Sequence, residues 1–254
     1  MTYTNETNKE NFRHQRYVPL ANFGKRGYDK STYKERGNDM FEGFSPETVD
    51  FLWGIRMNNR RDWFMEHKQQ YVDTLYEPMK ALGKELFQPY LDKSGTLLKV
   101  SRIYRDARLH HPLPYKESLW LCIRQDVQWW AENPCLFFEI NPDGVFYGFS
   151  LWRPRPMQMK QFRKAIAANP APFLQMVEQV EQATGMVIRA EEYKRPEPCE
   201  NPDLERFYRW KGNIGVTVEA PFSEATFGPG LKDTVADLFE KLTPLYDYFT
   251  QFGV

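Results

Sequence analysis

Leu136-Phe137-Phe138-Glu139-Ile140 and Val145-Phe146-Tyr147-Gly148-Phe149-Ser150-Leu151-Trp152 are two apolar, aromatic-rich runs on either side of Asn141-Pro142-Asp143-Gly144. Short runs rich in β-branched and aromatic residues, bounded by turn residues, read as strands. The Asp-Gly pair supplies the positive φ that tight hairpin turns require. An antiparallel hairpin is therefore predicted here. Two further runs upstream, Leu97 to Tyr104 and Leu119 to Gln125, have the same texture and extend the prediction to one mainly antiparallel sheet.

Helical spacing flanks this β region on both sides. Ser45-Pro46-Glu47 reads as an N-cap, a proline at the first helical position and an acid in the first turn, which starts a helix over Pro46 to Met57. Asn58 and Asn59 break it. Trp63, His67, Tyr71, Leu75, Met79, Leu82 and Leu86 then recur every three or four residues, predicting a helix to about Leu91 with a kink at Pro78 and with Trp63 and Phe64 in the core. After the hairpin, helices are predicted over Met157 to Ala168, Ala171 to Thr184, Asp203 to Trp210 and Lys232 to Phe249, with short strands at Met186 to Ala190 and Ile214 to Val218. The predicted class is α+β: one sheet of four to six strands covered by N-terminal and C-terminal helices. No period of 20 to 50 residues is present, which excludes repeat architectures.

Residues 1–39 show neither a period of two nor one of 3.6, so they are expected to be a disordered, dispensable tail ahead of a single domain over 40–254. They hold no apolar run of secretory length, and no later stretch reaches the roughly 18 apolar residues of a membrane span. The three cysteines, Cys122, Cys135 and Cys199, are odd in number and form no C-x-x-C pair, which points to a reducing, cytoplasmic setting. Lys+Arg and Asp+Glu both number 34, so the general electrostatic case for nucleic acid or an anionic membrane is absent, and any anion site must be local. The 19 Phe, 14 Tyr and seven Trp point to a thick core.

The densest polar segment runs from Arg102 to Lys116. On an extended chain Arg102, Tyr104, Asp106 and Arg108 face one way and Arg105 the other. Guanidiniums fork onto carboxylate or phosphate, so this is the chemistry an anion site needs. It is equally the chemistry of a structural network in which Asp106 neutralises its neighbours. Trp152, Arg153, Arg155, Lys160, Arg163 and Lys164 form a second basic cluster leading from a strand into a helix. His110 and His111 are adjacent and face opposite ways, and no H-E-x-x-H or comparable spacing exists. No metal or cofactor is expected. No G-x-S-x-G, G-x-x-x-x-G-K-[ST] or G-x-G-x-x-G occurs, so no motif assigns a reaction.

Three stretches together resemble the uncharacterised family called domain of unknown function 2461: FEGFSPETVDFLWGIRMNNRRDWFMEHKQQYVDTLYEP (41–78), RIYRDARLHHPLPYK (102–116) and GFSLWRPRPMQMKQFRKAI (148–166). Asn58, Asn59, Arg61, Trp63, Phe64, Arg105, Asp106, Arg108, Pro114, Tyr115, Lys116, Trp152, Pro154 and Arg163 occupy positions that match its pattern. The segment between Arg108 and Pro114 is a residue shorter, with His110-His111-Pro112 where the family tends to carry Lys and Asp. The resemblance implies no activity. It does imply that the second and third stretches form one site. With the chemistry of their residues, the expected function is recognition of a small anionic or phosphorylated ligand on Arg102, Arg105, Asp106, Arg108, Lys116 and Arg163, with Tyr115 or Trp152 stacking. A non-catalytic protein-interaction surface is the alternative.

Overall fold

Among the described residues, six strands form one sheet: β1 (Thr96–Val100), β2 (Leu119–Gln125), β3 (Cys135–Asn141), β4 (Gly144–Leu151), β5 (Arg189–Glu192) and β6 (Trp210–Ala220). Their order is β1-β2-β3-β4-β6-β5 and every neighbouring pair is antiparallel. This is a computed structural model, and it describes residues 40–106 and 112–253. The tail expectation, Arg108, His110 and His111 lie outside the described residues. The predicted hairpin is β3 and β4, with Asn141 paired to Gly144 across the turn.

Alternation along the strands gives the sheet two unlike faces. The register aligns Leu121, Phe138, Tyr147 and Val218 in one row and Ile123, Leu136, Phe149 and Val216 in the next, nearly all fully buried. The helix Glu77–Phe87 lies on this first face, where Gly83 sits against Leu98 and Leu121. The C-terminal helix Gly230–Thr250 covers the β3–β4 side, with Phe249 stacked on Phe149 at 6.1 Å. One hydrophobic core results, running from Phe41 to Phe249. No helix among the described residues is long and apolar enough to cross a membrane.

The N-terminal helix Pro46–Met57 has the predicted bounds. The long second helix does not form as one piece: Arg61–Glu66 and Lys68–Gln70 lead into a π-helical turn, Tyr71–Tyr76, before Glu77–Phe87. The cause is Pro78, which has no N–H to give to the Thr74 carbonyl four residues earlier. That carbonyl instead accepts from the Thr48 hydroxyl at 2.7 Å, and Thr48 is completely buried. The predicted kink site is thus a docking point for the first helix. Phe64 is fully buried as expected, whereas Trp63 is half-buried at the rim, stacked on His67 at 4.0 Å and lying against Gly54.

Candidate functional site

Between β1 and β2 the chain makes two arms, 101–105 and 114–118, that continue the antiparallel pairing beyond the named strands. Ser101 N–H donates to the Trp120 carbonyl at 2.7 Å, Lys116 N–H to Ile103 at 2.7 Å and Arg105 N–H to Pro114 at 2.8 Å. Tyr115 anchors the arms to the body in two ways. Tyr115 is buried and stacks on Phe64 with ring centres 4.3 Å apart. The Asn59 amide clamps the Tyr115 backbone, its Nδ2 donating to the Tyr115 carbonyl and its Oδ1 accepting from the Tyr115 N–H, both at 3.0 Å. Tyr115 is therefore a packing residue of the arm and not a stacking wall for a ligand.

Asn59→Ala removes both clamp bonds and leaves a half-buried peptide group with fewer partners. It is expected to cost about 1–2 kcal/mol in urea titration while the far-UV spectrum stays unchanged. An unchanged midpoint would show that water replaces the clamp without loss.

The pairing Trp120–Glu139–Phe146–Glu219 and the pairing Lys99–Cys122–Phe137–Gly148–Thr217 line the second face of the sheet. Lys116 reaches onto this face: its ammonium lies 5.5 Å from the centre of the Trp120 ring. Burial pushes the Lys116 ammonium down to about 8; Glu139 opposes that shift, whereas Arg102, Arg105 and Lys99 add to it. Glu139 is pushed the other way, its carboxyl raised by burial against the opposing effects of a Ser118 hydrogen bond and Lys116. An ordinary surface ion pair shifts each partner towards its charged form, so here loss of solvent outweighs mutual attraction. Among the described residues no acceptor lies within hydrogen-bonding distance of the Lys116 ammonium.

The other predicted residues divide. Arg102 is exposed at the same place. Arg105 is held by the facing arm, donating from Nε to the Tyr115 carbonyl at 2.5 Å, and its Nη2 stands 3.9 Å from Glu117. Glu117 in turn accepts from Arg56 at 3.0 Å, and Arg56 also forks onto Asp143 of the hairpin turn at 2.9 and 3.1 Å. Asp106 is half-buried beside the arms. Trp152 and Arg163 lie elsewhere. β2 and β4 are both antiparallel to β3 and so run the same way; Lys116 precedes the start of β2 and Trp152 follows the end of β4. Seven residues of strand, at about 3.3 Å each, put more than about 20 Å between them. Among the described residues, the predicted site thus divides into two basic clusters at opposite ends of the sheet.

Arg163 projects from the inward side of the helix Pro156–Ala168 with Met159, Phe162 and Ile166, and is 6% exposed. Its Nε donates to Glu197 at 3.3 Å and its guanidinium carbon stands 5.6 Å from the Tyr193 ring centre. Its Nη1 is buried without a hydrogen-bond partner. A cleft of about 330 Å³ is lined there by Pro156, Met157, Lys160, Arg163, Tyr193, Arg195 and Glu197.

Sequence reasoning missed Glu139, Ser118 and Lys99 near Lys116, and Tyr193, Arg195 and Glu197 near Arg163. Glu139 was the detectable one, a lone acid inside the Leu136 to Ile140 apolar run, where burying a charge is costly without a partner. The described residues contain no group of three or more His, Cys, Asp or Glu that would hold a metal ion. No curated protein matches the chain. A family model described as "Conserved hypothetical protein (DUF2461)" matches residues 47–248, most of the chain, and the protein belongs to that family.

Proposed function

We propose that the protein binds a small anionic or phosphorylated ligand on the second face of the sheet, at the arms formed by 101–105 and 114–118. One observation carries the reading. The Lys116 ammonium is half-buried among Arg102, Arg105 and Lys99, and no hydrogen-bond acceptor among the described residues reaches it. Packing alone gains nothing from grouping cations around a desolvated amine, since each lowers the stability of the others. A ligand anion supplies the missing charge and acceptors at once. Trp120, beneath the ammonium, offers a flat face to the rest of the ligand. The value near 8 also places Lys116 where an amine exchanges protons close to neutrality, which makes turnover chemically accessible. The three free thiols fit a reducing, cytoplasmic setting.

The test is a thermal-shift panel of phosphate, sulfate, nucleotides and small carboxylates on wild type and Lys116→Gln, at pH 7 and pH 9.5. A bound anion at a hundred times Kd is expected to stabilise wild type by about 2.7 kcal/mol. The pH dependence has a definite sign. Folded Lys116 loses its proton near 8 and the unfolded residue near 10.5, so the charged form is disfavoured in the folded chain. Without ligand, this group makes the fold more stable as pH rises from about 8 to about 10.5. Anion binding should run the opposite way, strongest below pH 8 and weaker above it. Lys116→Gln should lose the part of the anion effect that weakens above pH 8, while matching or exceeding wild-type stability without anion. No shift with any anion, together with a mutant less stable than wild type, would leave the cluster as scaffold.

A further inference from the structure

The cleft beside Arg163 is separate from the Lys116 cluster, at the other end of the strands. We propose that it is a second anion-binding site, one that takes a phosphomonoester whose organic part lies along Met157 and Tyr193. The argument begins with charge. Of the seven residues lining the cleft, Lys160, Arg163 and Arg195 are cations and Glu197 alone is an acid. Lys160 and Arg195 are exposed, but Arg163 is buried to all but 6% of its surface.

A buried guanidinium is normally satisfied on every nitrogen, because an unpaired donor out of water costs the full loss of its hydration. Here only one edge of the fork is engaged. Nε meets Glu197 at 3.3 Å, and Glu197 is itself exposed, while Nη1 is buried with no acceptor among the described residues. The helix packs Met159, Phe162 and Ile166 into the core on the same side, so the Arg163 backbone is fixed and its head cannot swing to water without unpacking the stem. Arg163 is one of the residues lining the cleft, so an anion there would meet its guanidinium, and a phosphate fits a guanidinium fork with two parallel bonds.

The surroundings favour a phosphate carried on an organic group over the free ion. Pro156 and Met157 stand at the N-terminal end of the 156–168 helix, the positive end of its dipole. Met157 is 63% exposed, a large apolar side chain left open at the rim of the cleft, and Tyr193 forms the facing wall. The volume of about 330 Å³ is at the small end of ligand pockets, which suits a compact monoester better than a dinucleotide.

Isothermal titration of the full chain with phenyl phosphate and with inorganic phosphate tests this, using wild type, Lys160→Gln/Arg195→Gln and Lys116→Gln. Both cleft substitutions are at exposed positions, so the variants retain the fold; Arg163→Gln is a supplementary variant. Wild type should bind phenyl phosphate at this cleft more tightly than inorganic phosphate, because the ring adds contact with Met157 and Tyr193. The double variant should weaken phenyl phosphate by about tenfold or more. Lys116→Gln should leave that binding within about twofold of wild type. Equal affinity for the two ligands at the cleft would reduce the proposal to adventitious phosphate and overturn it. So would wild type that binds neither, or a double variant that binds phenyl phosphate as wild type does. Loss of all binding in Lys116→Gln alone would show a single site at the arms and overturn the second one.

Discussion

Phe64→Ala is expected to destabilise the protein by about 3–5 kcal/mol, the usual result of emptying a large buried aromatic site. Phe64 is completely buried and is the ring on which separate parts of the chain converge. Its centre lies 6.4 Å from Phe51 on the first helix, 5.6 Å from Tyr71 in the π turn, and 5.6 and 4.3 Å from Tyr104 and Tyr115 on the two arms. Such pairs add about 0.5–1.5 kcal/mol each beyond the area they bury. Removing the ring therefore loosens the helices and the arms together. At this chain length the melting temperature should fall by about 10 °C. Because the arms carry Lys116, anion binding should weaken in the folded variant as well, whereas Phe64→Leu should recover most of both. Trp63→Ala, which empties a half-buried rim position, should cost distinctly less. A melting temperature for Phe64→Ala within about 2 °C of wild type would mean that the arms hold their shape without this anchor.

How far the sequence reached follows from which forces are local. The β3–β4 hairpin and the helix Pro46–Met57 were legible because a turn pair and a cap fix them within a few residues. The long helix from Asn59 was misread as continuous, since its apolar spacing survives the π turn and only Pro78 marks the interruption. β6 was read as Ile214 to Val218 but runs over Trp210–Ala220. Burial does alternate from Trp210 onward, but glycines at 212 and 215 and Asn213 at φ 49 hide that pattern from a composition-based reading. Its position beside β4, with β5 at the edge, is a long-range pairing that no local signal states.

The same limit governs the sites. The residues of the Arg102 to Lys116 arms stood out by type and spacing, and so did the helix bearing Arg163. Their separation needed the strand order: once β2 and β4 flank β3, a residue before β2 and one after β4 must lie at opposite ends. Glu139 comes to Lys116, and to Ser118 on the same arm, by pairing across strands, and Tyr193, Arg195 and Glu197 come to Arg163 by a loop that returns from β5. Both clusters are completed by tertiary contacts that join these conspicuous residues to partners distant in the chain.

Gly148→Ala should have an effect as large as that of Phe64→Ala, for a backbone reason. Gly148 sits in the middle of β4, paired with Phe137 on one side and Thr217 on the other, at φ 153. A Cβ placed there would stand 2.0 Å from the Val216 carbonyl oxygen, 3.0 Å from its carbon and 3.2 Å from the Thr217 Cα. All three are backbone atoms of the neighbouring strand, so no side chain can swing aside, and relief requires β4 and β6 to part. Gly185 provides the control, because it has φ 67 but nothing within 4 Å of the added carbon. Gly185→Ala should therefore cost only the dihedral penalty, about 1–2 kcal/mol. Gly148→Ala adds a clash to that penalty, for a total of about 3–5 kcal/mol. Amide exchange should locate the damage, with protection lost first along β4 and β6 while the β2–β3 pairing is retained. Lys116 and Glu139 stand on the β2–β3 side, so anion binding at the arms should outlast that local opening. Equal costs for the two substitutions, measured by urea titration, would show that the β4–β6 spacing yields to a methyl group and that the close approach at Gly148 does not constrain the sheet.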